Sequence, residues 1–151
     1  MTQEEEDLLL KYLCATLPYG VKYCREYLDY ERDQEMCAVG TLESIDKDGY
    51  INDTKVYTVW DIKPYLRPMS SMTKNEKHEL QNILSNNKHG VYLKHDEEWE
   101  IIVDSYYPYI PLEGFTNGFN WFNKKMFDYR GLIPMGLAIE APEGMYNIKT
   151  E

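Results

Sequence analysis

A chain of 151 residues with 43% hydrophobic and 28% charged residues has enough apolar material for a packed core, which excludes disorder as its resting state. Its 26 acidic and 16 basic residues give a formal charge of −10. That balance works against direct nucleic-acid binding, whose affinity rests on cations meeting phosphates.

Thr2-Gln3-Glu4-Glu5 has the form of a capping box, with Thr2 as N-cap and Glu5 at the third helical position. Glu4, Glu5, Glu6 and Asp7 then suit the positive end of a helix dipole. Leu9, Leu10, Leu13, Cys14 and Leu17 recur at helical spacing and predict one buried stripe, which Pro18 and Gly20 terminate. The acidic start is the opposite of a signal peptide's basic one, and Leu8–Leu10 is too short to cross a bilayer. No membrane association is therefore expected. Cys14, Cys24 and Cys37 match neither a metal knuckle nor a disulfide framework. All three are expected to be reduced, with Cys14 buried, in a cytoplasmic protein.

Val21–Tyr27, Cys37–Ile45 and Lys55–Trp60 read as short strands, separated by turn signals at Asp46-Lys47-Asp48-Gly49 and Asn52-Asp53. Leu28–Glu35 reads as an exposed loop or a strand extension. Pro64 and Pro68 force an extended strap over 61–72. Thr73 and Glu76 form a second capping box, opening a helix that carries Leu80, Ile83 and Leu84. Val91–Leu93 and Trp99–Val103 read as a hairpin, and Gly114 and Gly118 as the frame of a loop. Phe119, Phe122, Met126 and Tyr129 then fall on one face of a last helix, after which Asp128 caps a short turn. The predicted fold is α+β: an N-terminal helix, a small curled antiparallel sheet of SH3-like form, then a helix–hairpin–helix region. Residues 1–70 and 71–151 form two lobes, separate or packed as one domain.

The strings Asp61-Ile62-Lys63-Pro64-Tyr65-Leu66-Arg67-Pro68-Met69-Ser70-Ser71-Met72 and Phe127-Asp128-Tyr129-Arg130-Gly131-Leu132-Ile133 carry a resemblance. With Leu8-Leu9-Leu10-Lys11 at the start and Ala141-Pro142-Glu143-Gly144-Met145-Tyr146 in the tail, the chain resembles small uncharacterised proteins of phages and integrated mobile elements of gut anaerobes. The resemblance covers most of the chain. It implies a mobile-element setting and supplies no catalytic residue.

Candidate chemistry is sparse. His95 with Asp96, Glu97, Glu98, Glu100 and Asp104 could hold a divalent cation, but no HxxxH or HExxH spacing is present, and the acidic run reads as a hairpin tip. Asp46-Lys47-Asp48-Gly49 echoes a calcium loop without its later ligands and reads as a turn. Ser70-Ser71 lies outside any nucleophile elbow, and Gly114–Gly118 lacks the lysine of a phosphate loop. No metal, cofactor or catalytic residue is assigned.

The 14 tyrosines fit either a half-wet binding face or an aromatic core, because each ring is apolar and its tip polar. The candidate binding residues are Tyr106, Tyr107, Tyr109 and Trp121 with the cations Lys124, Lys125 and Arg130, since aromatics and arginine anchor binding hot spots. The expected function is non-enzymatic binding of a protein partner, as an accessory protein of a phage or mobile element. The alternatives are an enzyme whose site no motif reveals and an acidic mimic of nucleic acid.

Overall fold

The computed structural model describes residues 1–85, 91–95, 99–103, 110 and 112–146. Helix α1, Gln3–Thr16, begins where the capping box places it: the Thr2 hydroxyl accepts the Glu5 N–H at 3.2 Å, and the Glu5 carboxylate accepts the Thr2 N–H at 2.9 Å. Its buried face is Leu9, Tyr12, Leu13 and Thr16. Leu10 and Leu17 are half-buried and Cys14 is exposed, so the face is rotated from the expected stripe. Tyr12 accounts for the rotation. Its hydroxyl donates to the Phe127 carbonyl at 2.6 Å, so the ring can be fully enclosed with its polar tip satisfied.

Strands β1, Lys22–Asp29, and β2, Gln34–Thr41, form an antiparallel hairpin in unbroken register from Lys22 opposite Thr41 to Asp29 opposite Gln34. The charged stretch between the predicted strands therefore lengthens both and leaves only 30–33 as the turn. Cys24 stands opposite Val39, and Cys37 opposite Glu26. The two cysteines are thus diagonal neighbours on one face, with Cα atoms 5.6 Å apart, and they are joined in a disulfide. This corrects the expectation of three reduced thiols. The spacing of the cysteines along the chain carries no sign of the register that brings them together.

The proline strap supplies an inner strand. β3, Lys63–Leu66, pairs antiparallel with β1 at Cys24 and Tyr23, and parallel with β6, Ile139–Glu140, through Tyr65 and Leu66. Pro64 faces Tyr23, whose own backbone groups turn toward Gly40 on β2, so the missing proline N–H costs no ladder bond there. The strand order is β2-β1-β3-β6. The sheet is thus mixed rather than antiparallel, and it does not close into the expected small barrel. The chain's last strand returns to lie beside β3 instead of extending the meander. The expected strand at 55–60 is also replaced. Thr58 and Asp61 cap a single 3-10 turn, Val59–Asp61, with the Thr58 N–H on the Asp61 carboxylate at 2.8 Å. The Trp60 ring fills the space beside Gly49, where φ is +88° and a Cβ would meet the ring at 2.8 Å.

Helix α2, Lys74–Leu84, starts at the second capping box, with Thr73 as N-cap and Glu76 returning to the Thr73 N–H at 3.1 Å. Strands β4, Val91–His95, and β5, Trp99–Val103, pair antiparallel, and helix α3 spans Leu112–Lys124. One core packs Leu9, Tyr12 and Leu13 of α1 against Ile62, Leu66 and Leu132. A second holds Leu80 and Leu84 of α2 with Met72, Trp121 and Phe127. Among the described residues no helix is long and apolar enough to cross a membrane.

Candidate functional site

The two faces of α3 differ sharply. Toward α2 it presents Gly114, Gly118 and Trp121, all buried. An alanine Cβ at 114 would fall on the carbonyl oxygen of Leu84, and one at 118 would lie 2.7 Å from Leu84 Cδ2. The absence of side chains therefore lets the end of α2 lie directly against α3. Trp121 is 5% exposed and stacks on Phe127 with ring centroids 5.5 Å apart.

The opposite face carries Leu112, Phe115 and Phe119, which are 83%, 38% and 49% exposed. Steps of three and four residues align them in one stripe along the helix. At its C-terminal end the Phe119 ring lies 5.7 Å from that of Tyr129, which stacks on Phe122 at 5.2 Å. The Arg130 guanidinium sits 5.4 Å from the Tyr129 ring centroid. The result is a run of apolar surface ending in a cation.

The support beneath this end is built from buried polar groups. Asp128 accepts the N–H groups of Leu132 and Ile133 at 2.7 and 2.9 Å, which fixes the turn carrying Tyr129 and Arg130. The Arg67 N–H donates to the Met126 carbonyl at 2.7 Å, and the Asp128 N–H donates to the Arg67 carbonyl at 2.8 Å. The Arg67 guanidinium lies 4.1 Å from the Phe127 ring centroid and makes two 2.8 Å hydrogen bonds to the Glu76 carboxylate. Burial alone would raise the Glu76 pKa. The Arg67 hydrogen bonds and those from Thr73 outweigh it and hold the carboxyl below its ordinary range.

The sequence-predicted binding residues are only partly assembled. Lys124 and Arg130 are exposed and Lys125 is half-buried, whereas Trp121 lies in the core. Tyr106, Tyr107 and Tyr109 lie outside the described residues. Leu112, Phe115 and Phe119 escaped notice as a face because 114–118 read as a loop. The helical spacing of Leu112, Phe115 and Phe119 was the available signal.

Two of the cavities lie among the described residues. One, of about 410 Å³, lies between α2 and α3 and is lined by Glu79, Asn82, Asn117, Asn120, Trp121 and Lys124, among others. The other, of about 260 Å³, lies beside Arg67 under the tail and includes Glu140, Glu143 and Tyr146. The shifted groups have structural tasks. Burial raises the pKa of Tyr12, whose hydroxyl donates to the main chain. Burial also pushes Tyr146 up to about 12, partly offset by the Lys22 N–H that its oxygen accepts; its hydroxyl donates to the Tyr65 carbonyl at 2.6 Å. Asp46 is lowered by its hydrogen bond from Lys55 at 2.6 Å and accepts the N–H groups of Asp48 and Tyr50. It is a turn residue. Among the described residues no group of three or more His, Cys, Asp or Glu side chains could hold a metal ion. His89, Asp96, Glu97, Glu98 and Asp104 lie outside those residues. No known protein family matches the chain, and no curated protein or solved structure is detectably similar to it.

Proposed function

We propose that this is a non-enzymatic binding protein whose main docking face is the outer stripe of α3. The observation that carries this reading is the exposure of Leu112, Phe115 and Phe119 in one line, on a helix whose inner face is fully used. Contiguous exposed apolar surface of this kind marks an interaction site. Aromatic side chains beside an arginine are the usual composition of a binding hot spot. The rigid seat of Arg67, Glu76 and Asp128 beneath it favours a preformed face that loses little entropy on docking.

The partner we infer is a protein, because an apolar stripe ending in an arginine suits a protein surface, and a host protein fits the mobile-element setting that the resemblance implies. The Cys24–Cys37 bond is characteristic of oxidising compartments and stands against the cytoplasmic location expected from the sequence. The test is affinity capture from the native host with the intact chain and with a Phe115→Ser, Phe119→Asp variant. Both positions are exposed but Phe119 also packs on Tyr129, so the variant is compared at a temperature below its own melting point. It should lose the protein that the parent retains. An unchanged set of captured proteins would overturn the assignment of this face.

A further inference from the structure

β2 is an outer strand: β1 lies along one side of it, and among the described residues no strand lies along the other. The Leu42 N–H donates to the Val21 carbonyl at 2.9 Å, which sets the alternation along the hairpin. Gly40, Ala38 and Met36 bond to β1, and Glu35, Cys37, Val39 and Thr41 turn their backbone groups outward. The Thr41 carbonyl is already taken by the Asn52 side chain, whose Nδ2 donates to it at 2.9 Å. The outward groups of Glu35, Cys37 and Val39 remain. All three residues are exposed, Val39 at 58%. Apart from the charge of Glu35, the usual guards of an edge are missing from β2, which has no proline, no lysine and no break in its register.

The edge also lies in a negative field. Glu35 is on the strand, and Glu31 and Asp33 are exposed in the turn beside it. Of the nearby cations, the Arg25 guanidinium lies 3.9 Å from the Tyr57 ring centroid, Arg32 lies 3.8 Å from Asp29, and Lys63 lies 3.8 Å from Glu26. A second copy of the chain is a poor occupant, because each carries a formal charge of −10.

We propose that the outer edge of β2 accepts an extended basic segment of a partner protein as an added strand. Glu35 and Val39 point to the same face, four positions apart. The segment therefore carries a lysine or arginine opposite Glu35 and a β-branched or aromatic residue opposite Val39, four positions away. This surface is separate from the α3 stripe, so either can fail without the other.

The probe is a short blocked peptide that alternates threonine with valine, valine and lysine in that order. In antiparallel addition its lysine meets Glu35 and its first valine meets Val39. Titration into the full chain, followed by NMR, should shift the amides of Glu35, Cys37 and Val39 and slow their hydrogen exchange. Replacing the peptide's lysine with glutamate should abolish the effect. Val39→Pro removes an outward N–H that β1 does not use, and it should weaken binding at least about tenfold. Should that variant not fold, Glu35→Lys leaves the backbone intact and should reverse the preference toward the glutamate peptide. Shifts confined to other residues, equal binding of both peptides, or no binding of either at millimolar concentration would overturn the proposal. So would a chain dimer that competes with the peptide.

Discussion

Gly114→Ala sets two effects of opposite sign against each other. In an open helix, replacing glycine with alanine stabilises by about 1 kcal/mol, and at the first turn of α3 the gain is no more than that. Here the new Cβ would fall on the Leu84 carbonyl oxygen, with the carbonyl carbon 3.0 Å away. Both atoms are backbone, so α2 itself must shift. Overpacking of this kind costs about 1–3 kcal/mol, which against a gain of about 1 kcal/mol leaves a net loss of about 0–2 kcal/mol. Gly118 is the internal control. Its added methyl meets Leu84 Cδ2, the end of a flexible side chain, at 2.7 Å. That variant should stay within about 1 kcal/mol of the parent. Urea unfolding with a shared slope reads both differences. A Gly114→Ala protein more stable than the parent, or a Gly118→Ala protein more damaged than Gly114→Ala, would refute the close approach of the two helices.

In the same assay Leu13→Ala, at a fully buried position of the larger core, should lose about 2–5 kcal/mol, and a loss under about 0.5 kcal/mol would mean α1 is an exposed arm. Glu76→Ala strands a buried guanidinium and should lose about 3–5 kcal/mol, whereas Arg67→Met with Glu76→Leu together should recover most of it. Because the folded Glu76 pKa lies below the unfolded one, its contribution is complete above the ordinary glutamate range and is lost as pH falls through the lower folded value. Acid unfolding of Glu76→Gln should lack that component, and an acid limb identical to the parent's would contradict it. Thiol titration of the denatured, unreduced chain should find Cys14 alone, with Cys24 and Cys37 reacting only after reduction; three thiols at once would rule out the disulfide.

The two capped helices were legible because a capping box is local: Thr2 with Glu5, and Thr73 with Glu76, need no knowledge of the rest of the fold. The buried face of α1 was misjudged because Tyr12 could be enclosed only by finding the Phe127 carbonyl, a partner 115 residues away. The strap is extended as read at Lys63–Leu66 but turns into a 3-10 helix at Met69–Ser71, and its place as an inner strand was missed because its neighbours β1 and β6 come from distant parts of the chain. The Cys24–Cys37 bond depends on hairpin register, which no spacing rule supplies. Gly114 and Gly118 signal a loop when helix propensity is weighed alone. Packing overrides that preference, because α2 lies where their side chains would be. The same misreading hid the docking face, since Leu112, Phe115 and Phe119 form a stripe only if the glycines between them are helical.

The most direct test of the docking face is photocrosslinking in the native host, with benzoylphenylalanine placed in turn at position 115, at 119 and, as a control, at the exposed position of Val56. The account predicts one and the same protein adduct from 115 and 119 and none from 56. No adduct from either α3 position, or the same adduct from all three, would contradict it.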